Sequence, residues 1–249
     1  MLNIFYKNYY METLIKPSVF VLAAVLACTN LHAQTADEVV NKYVAAIGGK
    51  PAIESVKTLY IESDAEAMGN QLPSVTWIVN GKGYKNEVDF NGTKIVNCFS
   101  EKGGWSINPM TGASTATAMP EEQTKSMKGQ MNVGGPLYDY AAKGSKIELV
   151  PGKDAADSDY RIKLTAAAAT TTFSINKKTY YIDKSVTSAN MMGQDVEITV
   201  SFSDYRKIDG GYVLAFSQSI VNPQYTVNIT HKKVEVNKPI DPAIFDMPK

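Results

Sequence analysis

The stretch from residue 195 to residue 221 constrains the fold most, because it has the pattern of a β-hairpin that needs partners. Apolar and polar residues alternate over 196–203, which places an apolar row and a polar row on opposite faces of a strand. Asp209-Gly210-Gly211 supplies residues that tolerate positive φ, as a tight turn requires. Alternation resumes over 212–217. A hairpin with one apolar face is unstable alone, so a larger sheet is predicted around it.

Strand-like runs joined by turn signals fill most of the remaining chain. The pairs Asn80-Gly81 and Asn91-Gly92 are hairpin signals between such runs. The predicted strands lie within residues 59–61, 75–79, 84–90, 95–99, 105–109, 147–149, 160–164, 172–174, 180–182, 225–229 and 234–236. Short strands in close succession indicate an antiparallel meander, and hence a sandwich or a barrel-like sheet.

Two segments have helical patterns. Thr35 and Glu38 form a capping-box pattern before apolar residues at helical spacing, and Gly48-Gly49 ends this helix. Alternation stops over 110–144, where 111–117 reads as a loop, a helix begins at Met119-Pro120 and a second short helix covers 137–141. A helical insert within a meander has to lie over a face or across a mouth of the sheet.

The N-terminus has the layout of a secretory signal. Lys16 precedes an apolar run over 19–27, and Leu31-His32-Ala33 offers a small residue before a cleavage point. We therefore predict a signal peptide at 1–33 and a single domain at 34–249, exported to the periplasm. Lipidation at Cys28, which would anchor the protein to a membrane, is the alternative. The apolar run is too short to span a membrane, and no later one is longer, so the protein is not predicted to be transmembrane.

Charge and composition argue against several functions. The chain has 25 basic and 25 acidic residues, which gives no electrostatic reason to bind nucleic acid. Cys98 and His231 are the only cysteine and histidine after residue 33, so no metal site and no cofactor are predicted. Cys98 is expected to be packed, and His231 to be a solvated residue near the end of a strand.

Methionines are concentrated near the insert. Met110, Met119, Met127 and Met131 fit either of two interpretations. They fill gaps in a core, or they form a deformable apolar surface for a variable lipid-like ligand. The tail at 239–245 is too rich in proline for a strand and is expected to pack Ile244 and Phe245 against the domain.

Several short motifs in this order resemble a known family. They are Ile47-Gly48-Gly49, the run from Gly104 to Pro109 with Gly112 after it, Leu137-Tyr138-Asp139-Tyr140, the run from Phe202 to Arg206, and Asp209-Gly210. Over residues 35–247 the chain resembles the LolA-like outer-membrane lipoprotein-sorting proteins, particularly their Bacteroidetes-type members. The resemblance implies a mainly β fold with a few helices, an unclosed antiparallel β-barrel with helices over its concave face. It also implies a cargo of lipoprotein acyl chains, carried between the inner and outer membranes.

The function predicted from these patterns is a non-enzymatic envelope carrier that binds lipid or lipoprotein acyl chains in a hydrophobic half-barrel. The insert at 119–143 is expected to cross the concave side, with Met127, Met131 and Tyr138 facing Trp77, Trp105 or Phe216. The predicted lining residues are Trp77, Trp105, Met127, Met131, Tyr138, Phe202 and Phe216. Envelope proteins are possible further partners. The alternatives are an envelope structural or interaction protein with a filled barrel core, and a hydrolase that uses scattered carboxylates such as Glu121-Glu122.

Overall fold

Thirteen strands form one antiparallel sheet in the computed structural model, which describes residues 34–151, 158–166, 169–191 and 194–248. The strands are β1 (Thr58–Ala67), β2 (Asn70–Val79), β3 (Gly83–Phe90), β4 (Thr93–Ser100), β5 (Gly103–Asn108), β6 (Ala113–Ala118), β7 (Lys146–Val150), β8 (Asp159–Thr165), β9 (Thr170–Asn176), β10 (Ile182–Met191), β11 (Gln194–Lys207), β12 (Val213–Val221) and β13 (Thr226–Val236). The predicted signal peptide at 1–33 lies outside the described residues.

The sheet does not close into a full barrel. Its strand order is β6-β5-β4-β3-β2-β1-β13-β12-β11-β10-β9-β8-β7, so β6 and β7 are its two edges. Every neighbouring pair is consecutive in sequence except β1 and β13, which join two meanders. The predicted unclosed antiparallel half-barrel, with helices over its concave face, is confirmed. We call the concave face that carries the helices the inner face, and the other the outer face.

The first helices cover one end of the inner face. They are α1 (Ala36–Ala46) and α2 (Gly49–Ser55). The predicted capping box is present, because the Thr35 hydroxyl accepts a hydrogen bond from the Glu38 N–H and the Glu38 carboxylate accepts one from the Thr35 N–H. Val39, Val40 and Tyr43 of α1 are buried, so the helix contributes one apolar stripe to the core.

The junction between α1 and α2 rests on the turn between β11 and β12. Val213 N donates to the Ile47 carbonyl over 2.9 Å. Gly48 has a φ of +112°, and a Cβ atom on it would lie 2.5 Å from the Gly211 carbonyl oxygen. Only glycine fits this approach without strain, because other residues disfavour positive φ and the obstacle is backbone.

The insert connects the two edges of the sheet. Since β6 and β7 are consecutive in sequence but lie at opposite edges, residues 119–145 have to run from one edge to the other. They include α3 (Glu121–Met127). Gly81 N donates to the Met131 carbonyl over 2.8 Å, and the Tyr212 hydroxyl donates to the Val133 carbonyl over 2.6 Å. Leu137 is fully buried. The insert therefore lies on the inner face, as predicted.

The main core fills the space between the helices, the insert and the sheet. Its buried members include Val39, Ile53, Val56, Leu59, Ile61, Val133, Leu137, Ile162, Phe173, Ile175 and Tyr212. Side chains from both meanders take part, so the core holds the two halves of the sheet together.

A second core lies on the outer face beneath the C-terminal segment. Trp105 Nε1 donates to the Phe245 carbonyl over 2.9 Å, and Phe245 packs with Val96, Cys98 and Trp105. Burial raises the pKa of the Cys98 thiol to about 12. The predictions that Cys98 is packed and that the tail packs Phe245 are confirmed.

Three predicted elements are wrong. Residues 111–117 were expected to be a loop, but β6 covers most of them as an edge strand whose solvent-exposed small residues show no burial alternation. Residues 137–141 form turns and not a helix, because Asp139 adopts a φ of +48°. The strands at 225–229 and 234–236 are one strand, β13, because an irregularity opposite Glu62 and Ser63 absorbs the break in alternation.

Candidate ligand-binding face

Strand register assigns each side chain to one face of the sheet. Leu59 pairs with Ile78, Ile78 with Tyr84 and Tyr84 with Phe99, which forms a row on the inner face. Gly104 ends this row, and a Cβ there would touch the Met119 sulfur and the Thr124 hydroxyl above it. The neighbouring residues of each strand belong to the outer face.

Trp77 and Trp105 lie on the outer face, so the prediction that they line the concave side is wrong. Their row runs from Tyr60 through Trp77, Lys85 and Cys98 to Trp105. Lys85 Nζ lies 5.6 Å from the Trp77 ring centroid and 5.7 Å from that of Trp105. These contacts are cation–π interactions beside the second core, on the face away from the helices.

The three predicted residues of the insert lie on the other side of the sheet from the tryptophans, so they do not face them. Met131 is 4% exposed and belongs to the sealed part of the domain, while Met127 is half-buried. Tyr138 packs against the main core, and its hydroxyl donates to Glu54 of α2 over 3.0 Å. These residues fix the insert in place, and their contact with a ligand stays a prediction.

Phe202 and Phe216 lie on the inner face, as their strands predicted. Phe202 pairs with Gln218, two residues from Phe216 on the same face of β12. Phe202 packs against the main core and Phe216 is 8% exposed. Their role in binding a ligand also stays a prediction.

Part of the inner face is apolar and lies outside the two buried cores. We define the open half as the inner-face side chains of Val88, Ile198, Val200, Ile220, Val227 and Ile229, all half-buried. In the parts of the chain that the structure describes, none of these six packs against a buried core. Five of them neighbour one another on β11, β12 and β13, and Val88 lies on β3 with β2 and β1 between. These side chains face the concavity left by the unclosed sheet, so they offer water an apolar surface.

A polar pair lies where the filled core meets the open half. Ser63 of β1 and His231 of β13 are cross-strand partners, and Ser63 Oγ lies 2.8 Å from His231 Nδ1. Ser63 is 5% exposed, and burial lowers the pKa of His231 below its usual value. The prediction that His231 is a solvated strand-end residue is therefore wrong. The imidazole is half-buried on the inner face.

Phe216 lies next to this pair. Its ring centroid is 6.1 Å from that of His231 in an edge-on arrangement, and the Arg206 guanidinium lies 4.6 Å from the Phe216 centroid. Arg206 pairs with Asp204, with Nη2 and Oδ2 separated by 2.6 Å. Sequence patterns did not indicate this arrangement, because Ser63 and His231 belong to strands at opposite ends of the chain.

Two surface depressions are present, and the smaller one includes Val88 of the open half in its lining. One of about 430 Å³ separates α1 from residues 137–142, and one of about 320 Å³ lies among charged residues of β1 to β4 and Lys232. Within the described residues, no group of three His, Cys, Asp or Glu side chains is arranged to hold a metal ion. Likewise, none of the described helices has the length and apolar character needed to cross a bilayer.

The fold matches known structures over nearly the whole of their length. A LolA superfamily protein from Nitrosomonas europaea superposes with a TM-score of 0.57 and 10% identity, covering 85% of this chain and 97% of that one. The chain has the LolA-like fold. A Vibrio parahaemolyticus domain assigned to the outer membrane lipoprotein-sorting proteins gives a TM-score of 0.55 at 13% identity, with the same coverages.

A third known structure extends the comparison. A DUF1329 family protein from Desulfovibrio piger superposes with a TM-score of 0.56 at 14% identity, again covering 85% of this chain and 97% of that one. No family model and no curated protein matches the sequence. The shared half-barrel is therefore evident from the path of the backbone and not from residue identity.

Proposed function

We propose that this protein is a non-enzymatic carrier of the cell envelope that holds lipid or lipoprotein acyl chains against the open half. The observation that carries the proposal is the row of half-buried apolar side chains on the inner face of an unclosed sheet. Each methylene removed from water contributes about 0.8 kcal/mol, so an acyl chain needs no covalent chemistry to be retained. Known structures with this fold include a domain assigned to lipoprotein sorting.

Location and processing belong to the same proposal. Residues 1–33 act as a signal peptide, and residues 34–249 are a single lipid-binding domain that works in the periplasm, where envelope proteins deliver or receive the cargo. We expect N-terminal sequencing of the exported protein to give Gln34. A diacylated peptide that starts at Cys28 would instead make the protein membrane-anchored.

We propose that the Ser63–His231 pair has no hydrolytic role. Nucleophile–base pairs need a third group that orients the base, and they place the hydroxyl within reach of substrate. Ser63 is 5% exposed, and among the described residues no carboxylate is bonded to the imidazole.

Substitutions on the two faces of β11 test the carrier proposal. Ile198→Asp with Val200→Asp places two carboxylates on the open half, where an acyl chain would have to bury them. We expect a fluorescent fatty-acyl probe to bind at least about tenfold more weakly, because burying an unpaired carboxylate costs several kcal/mol. Fluorescence titration gives the affinity.

The matched control is Thr199→Asp with Ser201→Asp, which adds the same charge to the outer face of the same strand. This variant should bind the probe like the unchanged protein, and far-UV circular dichroism should show that both variants fold. Equal affinities in both variants would contradict binding at the open half.

A second candidate is an envelope structural or interaction protein, which the filled half of the barrel favours. Leu137, Ile162 and Ile175 have no exposed surface, so side chains of the protein itself fill the core under the insert. Solvent extraction of the purified protein followed by mass spectrometry separates the candidates. Co-purified acyl species support the carrier, whereas a ligand-free protein that also fails to bind the probe supports the structural role.

A further inference from the structure

The Ser63–His231 pair is a polar group on the inner face, beside Ser74 of β2 and at the end of an apolar stretch of β13. Ile229 and then Val227 follow His231 on the same face of β13. Successive residues on one face of a strand are about 7 Å apart. Phe216 borders it on the side of β12. An exposed polar atom here has few ways to satisfy its hydrogen bonding except through water or a ligand.

The proton on the imidazole can be placed from the surroundings of Ser63. Among the described residues, His231 Nδ1 is the only hydrogen-bond partner of Ser63 Oγ. If Nδ1 carried the proton, the buried hydroxyl hydrogen would have no acceptor, which is costly. The favoured arrangement has Ser63 donating to Nδ1, which leaves the proton of the neutral imidazole on Nε2.

Nε2–H is then a donor without a partner. In the described part of the chain it makes no hydrogen bond, and it is not sealed from solvent. A neutral N–H donor in apolar surroundings selects an uncharged acceptor such as a carbonyl oxygen, because a carboxylate would also have to lose its hydration.

We infer that His231 Nε2 binds the carbonyl oxygen of an acyl ester or amide, and that the attached chain then runs over Ile229 and Val227. The inference rests on the proposed carrier function and narrows its ligand class to acylated amphiphiles, as distinct from plain hydrocarbons. Ser63 is a positioning residue, since it fixes the tautomer that presents the donor. The ester or amide carbonyl is held and not attacked.

Displacement of a bound fluorescent probe by two ligands of matched length, methyl laurate and tetradecane, tests the inference. For each protein, the affinity for the ester is divided by the affinity for the alkane. This ratio should be about three- to tenfold higher in the unchanged protein than in His231→Met, because methionine fills the space of the imidazole but has no hydrogen-bond donor. His231→Gln retains an N–H near the Nε2 position and should keep most of that preference. Comparing ratios removes the different water solubilities of the two ligands.

The infrared band of a carbonyl-labelled methyl laurate provides a measurement that needs no variant. Its carbonyl stretch should move to lower frequency on binding to the unchanged protein and remain at the non-bonded position in His231→Met. An unshifted band in the unchanged protein, or equal affinity ratios in all three proteins, would overturn the carbonyl anchor and leave the carrier function standing. Failure of both ligands to displace the probe would instead reject the carrier function itself.

Discussion

Gly48→Ala is expected to lower the free energy of unfolding by more than about 3 kcal/mol. The new Cβ would lie 2.5 Å from the Gly211 carbonyl oxygen, and the residue would still have to adopt a φ of +112°. Neither the helix junction nor the β11–β12 turn can move easily, because Val213 N donates to the Ile47 carbonyl beside the contact. Urea denaturation followed by circular dichroism gives the difference.

Gly69→Ala is the matched control for this effect. Gly69 also has a positive φ, +77°, but a Cβ on it would meet nothing within 4 Å. Its substitution should therefore cost only the backbone strain, about 1 kcal/mol. If the two variants lose the same stability, the close approach of the α1–α2 junction to the β11–β12 turn is not what requires glycine.

Leu137→Ala is expected to cost about 4 kcal/mol, near the upper part of the range for buried leucines. Leu137 has no exposed surface, and it packs with residues of both meanders from the middle of the insert. The cavity would lie where the insert, α1 and the sheet meet, so little can relax to fill it. Urea denaturation again measures the loss.

Leu149→Ala supplies the comparison for the same substitution in a different setting. Leu149 lies on the edge strand β7 and is 39% exposed, so removing its side chain should cost less than about 1.5 kcal/mol. Similar losses at both positions would mean that the insert is not packed as tightly as its burial implies.

Much of the fold could be predicted because local pattern and turn chemistry agree with it. Alternation over 196–203 and the turn at Asp209 gave the hairpin of β11 and β12. The sequence shows two separate glycine pairs, one around Gly48 and one around Gly211. In the structure the two turns contact each other, and this contact explains why both contain glycine. Sequence spacing cannot reveal such contact between distant turns.

The binding face was predicted less well because both faces of the sheet are covered. Alternation divides the side chains of each strand between the two faces of the sheet. It does not indicate which face carries the helices when the C-terminal segment covers the opposite face. Trp77 and Trp105 therefore had the pattern of inner residues although Trp105 packs under Phe245 on the outer face. The insert was placed on the correct side because an unclosed sheet leaves an apolar face that has to be covered, and the insert is a long apolar segment that can cover it.

The polar pair could not be predicted for a different reason. Ser63 and His231 meet only because β1 pairs with β13, and the irregular register beside Ser63 decides which residue of β13 faces it. A lone histidine two residues before Lys233 has the pattern of a solvated position. The half-buried environment of His231 arises from strand pairing, so the residues next to it in the sequence do not predict its burial.

The pairing of β1 with β13 affects the order in which the chain folds. A polypeptide that emerges from its N-terminus presents β1 early and β13 last, so the edge of β1 stays unpaired until nearly the whole chain is available. Leu59 and Ile61 then lie on an exposed strand edge that invites pairing with other chains. Closure over such a sequence separation is slow, so we expect late folding that depends on holdase protection of the incomplete chain.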